Sequence, residues 1–490
     1  MLRPPAVGVS SAPPLTDRLL RSWLRCKRRA WLDCHGDPGQ RLWTAHRALA
    51  LNDQQGSFQS LLPERPGHGE AACQAGAPAV VGLRLYGSGS GGQRLEAHPA
   101  LLQRVAGPSR WGDHAYRPVF GRQGRHLTRE HRLLLAFWGR LLAVHQQAPV
   151  PQALVVAGEG RRLQRDRLAL NSGLQRQLDE ALQRLAADLQ RPTPPPLVAD
   201  RKKCVLCSWR GVCDREAARQ GHLSEVSGIG GKRRDMLLQQ GITSLSELAA
   251  TEPAALAEAL AVYGEQHRAI APALVAQARV QASGRPERLT PKATPALPEL
   301  ADAPGVLLYD IESDPDARHD FLHGFVVVPS DPGAGWPQQA TSARYQPLLA
   351  LQQHGEERLW QRLQRFLASY PHWPLLHYGE TEAIALLRLA GRQGASQVEL
   401  ESLRSRLLDV HSRLRMHWRL PVNSYGLKAV AGWLGFQWGQ PGVEGARCLL
   451  WWRQWQRDGG RARLQSIFDY NRDDNLATWA VVHWLLDQDD

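Results

Sequence analysis

The stretch Val306-Leu307-Leu308-Tyr309-Asp310-Ile311-Glu312 decides how the chain is read. An apolar run closes on two carboxylates one residue apart. Pro304-Gly305 and Asp314-Pro315 bound it, and a run of this length between such breakers fits a buried strand. Side chains two apart on a strand share a face. Asp310 and Glu312 therefore project together from the end of a strand that is otherwise core. Adjacent anions repel, so the pair needs a cation or a strong structural reason. Oxygen ligands suit magnesium or manganese.

A two-metal phosphodiester site draws further carboxylates from other elements. The candidates in chain order are Glu382, Asp409, and Asp473 or Asp474. Tyr470 and Asp474 are four apart and share a face if the segment is helical. A tyrosine there can hold the attacking water while the aspartate binds metal. With Asp310 and Glu312, this pair resembles the first and last motifs of the DnaQ-like 3′–5′ exonucleases of the RNase H-like fold. SYGLKAVAGWLGF (424–436) is similar to the segment before the last motif in predicted RecB-linked exonucleases. The resemblance covers about 305–490. It implies two Mg2+ or Mn2+ ions on Asp310, Glu312 and Asp474, with Glu312 and Tyr470 orienting water. The second motif departs from the family, which usually has Asn-Gly followed by Phe-Asp. Here the chain reads His377-Tyr378-Gly379-Glu380-Thr381-Glu382. Glu382 stands where the aspartate should be and needs its longer arm to reach a metal. Otherwise it is an acid favoured by a helix N-terminus. Asp409, in LLDVHSRL, is the further candidate acid, expected from a neighbouring helix.

At 490 residues, 43% hydrophobic and 22% charged, the chain is expected to form two to four globular domains. No apolar run approaches the ~18 residues of a membrane span, and no signal-peptide pattern opens the sequence. A cytoplasmic protein is expected, and seven cysteines do not suggest a disulfide framework. Net charge is +13, and six of the 60 basic residues are lysine, the rest arginine. Arginine grips phosphate and stacks on bases, and 17 tryptophans add stacking surface. Solvated arginine faces are the plainer reading, so nucleic-acid binding needs motifs.

Cys204-x2-Cys207-x5-Cys213 places three thiols on one short segment, and Cys26 lies among the arginines of a basic helix expected from Thr16 to about Leu32. Two paired knuckles are the usual structural zinc arrangement. Three clustered cysteines with a remote fourth fit an iron–sulfur cluster better, since its thiolate spacing varies. LRSWLRCKRRAWLD and KKCVLCSWRGVC resemble the iron–sulfur staple of RecB-like nucleases, a group with AddB-type and CRISPR-adaptation members. The resemblance covers 16–215 and implies a [4Fe-4S] cluster on Cys26, Cys204, Cys207 and Cys213, with zinc as the alternative. Active members of that group need an Asp and a D/E-x-Lys pair. No lysine occurs between Lys27 and Lys202, and YRPVFGRQGR carries Gly121-Arg122 where the acid-x-Lys tail should fall. Asp113 and Glu130 remain as stray acids. This domain is expected to have lost cleavage and kept DNA binding. Cys34, Cys73 and Cys448 read as ordinary thiols.

Leu223–Arg233 resembles a helix-hairpin-helix turn. Gly228 and Gly230 would free backbone N–H groups for a phosphate, and Lys232 and Arg233 would add charge. A plain glycine turn between helices is the alternative. The expected fold class is α/β and multidomain. Residues 1–15 are expected to be disordered, 16–215 to form a restriction-endonuclease-like module, 216–283 to be helical, 284–304 to be a linker and 305–490 to form an RNase H-like module. The expected activity is hydrolysis of DNA, with RNA as alternative substrate. A non-catalytic scaffold or helicase or repair partner is the other reading.

Overall fold

The computed structural model describes residues 13–62, 64–121, 127–159, 162–331, 333 and 335–489. Most of the expected disordered 1–15 and Arg122 lie outside them. The chain forms two compact units. One takes in the chain up to Val198 together with Lys203–Asp214, and the other Ala199–Lys202 with Arg215–Asp490. Both are mixed α/β, as the alternation of periods predicts.

In the first unit, one sheet orders its strands Gly67–His68, Ala79–Val81, Leu101–Ser109, Gly112–Gly121, Gln152–Glu159 and Arg162–Ala169. Gly112–Gly121 and Gln152–Glu159 run parallel, and the helix Arg129–Gln146 connects them, as a parallel pair requires. The helix expected over Thr16–Leu32 is two helices, Asp17–Arg25 and Lys27–His35. Thr16 caps the first by accepting from the Leu19 N–H at 3.1 Å. Cys26 breaks it with an extended backbone, φ −163° and ψ 120°. Glu130 is not a stray acid: it holds Arg21 at 2.6 Å and Arg25 at 2.7 Å. Asp113 is exposed.

In the second unit, the helices Gly231–Gln239, Leu245–Ala250, Pro253–Ala261 and Glu265–Ser283 close around Leu223, Val226, Ile229, Leu237 and Leu274. The expected linker 284–304 is packed instead. Glu287–Arg288 pairs with Trp418–Arg419, Ala296, Leu297 and Leu300 are buried in the next core, and Arg288 pairs with Asp489 at 2.8 Å. Its Pro- and Arg-rich composition reads as linker because those few apolar anchors are sparse.

The last sheet has five strands: β1 (Gly305–Asp314), β2 (His319–Pro329), β3 (Arg344–Leu349), β4 (Leu375–His377) and β5 (Leu407–Asp409). Their order is β3-β2-β1-β4-β5. β1 is antiparallel to β2 and parallel to β4, which is parallel to β5. Alternation splits β1 between two cores. Leu307, Tyr309 and Ile311 pack with the helices Gly355–Ala368 and Thr381–Arg392. Val306 and Leu308 pack on the other side with Leu476, Val481 and Leu485 of the terminal helix Arg461–Asp489. Asp310 and Glu312 have the parity of Val306 and Leu308, so they face that helix.

Candidate metal centre

One oxygen each from Asp310, Glu312 and Asp474 lies within 4.8 Å of the others. β1 supplies two of these side chains and the terminal helix the third. Asp310 pairs across the ladder with Gly324 of β2. A Cβ at Gly324 would fall 1.7 Å from Asn471 Oδ1 and 3.0 Å from the Tyr345 hydroxyl. The missing side chain admits Asn471, whose Nδ2 donates to Asp310 Oδ2 at 2.6 Å. Tyr345 donates its hydroxyl to Asn471 Oδ1 at 2.9 Å, and Asn475 Nδ2 donates to the Asn471 carbonyl at 2.9 Å. Trp438 Nε1 donates to Asp474 Oδ1 at 2.7 Å. The Lys428 ammonium sits 4.8 Å from the Tyr470 ring centre and 5.8 Å from that of Trp438.

The group is short of positive charge. Burial holds Asp310 well above the ordinary carboxylate range, and Asp474, Glu312 and Glu382 push it further. Glu312 is only 7% exposed; burial and then Asp474 raise it, against the pull of Lys428 and Asn471. Asp474 is raised by burial, against Trp438, Lys428 and Tyr470. Burying like charges together is costly without a counter-charge. An all-oxygen donor set of this kind fits a magnesium- or manganese-sized cation.

The other sequence-derived acids land differently. Glu382 lies in the first turn of Thr381–Arg392 and is buried. It stands outside the three-carboxylate group but adds to the field on Asp310 and Glu312. Burial pushes it up to about 7, and its Oε2 has no hydrogen-bond partner among the described residues. Asp409 is not on a helix. It ends β5 and caps Val410–His417, its Oδ1 accepting from Gly379 N–H at 2.9 Å and His411 N–H at 3.0 Å. Asp473 accepts from Gly439 N–H at 2.8 Å. Burial raises the Tyr470 hydroxyl far above its ordinary range, so it stays protonated.

Gly228 has φ +90°, a conformation that favours glycine, and Gly230 precedes the helix Gly231–Gln239. Arg233 folds back to donate to the Gly228 carbonyl at 2.6 Å, while Lys232 is exposed. Cys26, Cys204, Cys207 and Cys213 are all half-buried and outside any disulfide. Burial raises Cys207 and Cys213, and Cys26 raises both further. Cys34 is exposed, and Cys73 and Cys448 are buried.

Asn471, Trp438, Tyr345, Gly324 and Lys428 did not come out of the sequence as site residues. Lys428 had a signal: it is the one lysine between Gly305 and Asp490 in a chain that otherwise uses arginine. The others depend on strand pairing and helix docking.

A parallel-and-antiparallel sheet with helices on both faces, and carboxylates meeting at the end of its central strand, defines an α/β domain with a candidate metal site. More particularly, the RNase H superfamily model matches residues 307–486. That domain supports a nucleic-acid-cleaving hydrolase in general terms. No curated protein matches the chain.

Proposed function

We propose that the domain spanning 305–490 hydrolyses phosphodiester bonds, with Mg2+ or Mn2+ held by Asp310, Glu312 and Asp474. The convergence of three carboxylate oxygens within 4.8 Å carries this reading. When bound, the ions supply Lewis acidity and lower the pKa of water. The chain's own groups do the positioning. Asn471 fixes Asp310 and Trp438 fixes Asp474, so both present oriented lone pairs. Tyr470, kept protonated, and Glu312 orient the attacking water. Lys428 offsets the carboxylate charge so that an anionic phosphate can approach. Glu382 is the fourth acid, and Asp409 the second candidate for that place.

The finer reading is a cytoplasmic 3′–5′ DNA exonuclease, with RNA as the alternative substrate. The turn of Gly228, Gly230, Lys232 and Arg233 would contact the phosphate backbone, and a helicase or repair protein is the partner it suits. The first unit would be a RecB-like fold that has lost cleavage and binds DNA. Cys26, Cys204, Cys207 and Cys213 would hold a [4Fe-4S] cluster there. Zinc on the same thiolates is the alternative.

DNA and RNA strands labelled at the 5′ end test the substrate and direction. Digestion that is silent in EDTA, restored by Mn2+ and shortens DNA from its 3′ end supports the reading. Digestion of RNA alone supports the alternative. No metal-dependent digestion of either supports a non-catalytic scaffold.

A further inference from the structure

We infer that the first unit carries a binding site for single-stranded nucleic acid at Trp43, Arg18, Arg41 and Arg47. This rests on the nucleic-acid reading above but uses none of the carboxylate residues. A cavity of about 390 Å³ is lined by Thr16, Arg18, Asp33, Arg41 and His98, among others. Leu42 and Trp43 continue the chain from its wall and are 52% and 58% exposed. Exposed apolar side chains are common singly and mark binding surface where they are contiguous, as Leu42 and Trp43 are in sequence next to the cavity-lining Arg41.

The platform is held from behind. The Leu42 N–H donates to the Ser208 carbonyl at 2.8 Å, and the Arg41 guanidinium lies 5.9 Å from the Trp209 ring centre. Trp209 Nε1 donates to Asp33 Oδ1 at 2.9 Å. Ser208 and Trp209 lie between Cys207 and Cys213, so the cysteine segment fixes the loop that presents Trp43.

Arg18 and Arg41 share the cavity with Asp17 and Asp33, and Arg47 and Arg29 add positive charge near Arg18. The two carboxylates have internal work. Asp17 accepts from the Trp138 indole at 2.7 Å and from the His98 N–H at 3.2 Å. Asp33 accepts from Ser22 Oγ at 2.7 Å and pairs with Arg41 at 3.3 Å. Arg18 is held below the ordinary guanidinium range, first by partial burial and then by repulsion from Arg47 and Arg41, against the pull of Asp33. Arg29 adds to that repulsion, and its buried Nε has no hydrogen-bond partner among the described residues. Guanidiniums crowded this way are relieved by an anion.

An exposed tryptophan beside arginines is the pairing that single strands use: a base stacks on the ring and the neighbouring phosphate meets the charge. A folded duplex would keep its bases stacked on one another, so the ring selects a single strand.

The test is fluorescence anisotropy of a labelled oligothymidine with the full chain in EDTA, where no cleavage intervenes. Trp43→Ala is expected to weaken binding roughly 5- to 150-fold, the contribution of one base stack, and Trp43→Phe to recover most of it. Arg18→Ala with Arg47→Ala is expected to flatten the slope of log affinity against log salt by about 1.4, two single-strand phosphate contacts. Equal affinity and salt slope in all variants overturns the site. So does a loss for Trp43→Phe as large as for Trp43→Ala, which would mean the ring only packs. The outcome is separable from the catalytic reading: wild type that binds through Trp43 but never cleaves sinks only the latter. Cleavage by a Trp43→Ala protein of unchanged affinity sinks only the former.

Discussion

Gly324 shows how far a single residue can control the candidate centre. Its missing Cβ lets Asn471 reach Asp310. Gly324→Ala is expected to push Asn471 away, cost about 1–3 kcal/mol from overpacking and a broken buried hydrogen bond, and weaken Mn2+ binding. Urea unfolding and a metal titration check both. Glu382 sets a pH dependence. Its folded pKa is raised from 4.5 to about 7, so its stabilising effect is complete below about 4.5 and lost as pH rises through 7. In EDTA the protein should lose on the order of 3 kcal/mol over that window from this group. Glu382→Gln should flatten the slope; an equal slope in urea midpoints at several pH values would contradict the burial argument. Lys428→Met removes the cation beside Glu312 and Asp474. Metal-free stability should fall, and the rise in melting temperature on adding Mn2+ should grow.

At the scale of elements, the carboxylates of β1 were legible because period-2 parity alone puts Asp310 and Glu312 on one face. The i, i+4 spacing likewise placed Tyr470 beside Asp474. Asp409 was misplaced on a helix because a three-residue strand, Leu407–Asp409, leaves no measurable period before the helix it caps. Asp409→Asn keeps a capping oxygen and should preserve cleavage, whereas Asp409→Ala should cost about 1 kcal/mol. Loss of cleavage in the Asn variant, with stability intact, would move Asp409 into the metal-holding set. The strands Leu101–Ser109 and Arg162–Ala169 were not legible either. Their arginines and glutamines hide the alternation that strand pairing reveals. Nor was the break at Cys26, where helical spacing continues through an extended residue.

At the scale of the molecule, the α/β class and the position of the last domain could be read from composition and motifs. The packing of 284–304 could not, since it depends on contacts with Trp418–Arg419 and Asp489 far along the chain. The four half-buried cysteines make a prediction for the first unit. Anaerobically purified protein should be brown and carry iron and sulfide, and Cys213→Ser should lose both together with thermal stability of that unit. Colourless protein with one zinc per chain would reverse the assignment. The central claim is metal-dependent hydrolysis at the end of β1. Its most direct test is the rate of Mn2+-dependent cleavage of a single-stranded DNA by wild type and by Asp310→Asn of equal or higher metal-free melting temperature. The account predicts cleavage by wild type and loss of at least about 100-fold in the variant, the scale of removing a metal's transition-state charge stabilisation. Equal rates in the two proteins would contradict it.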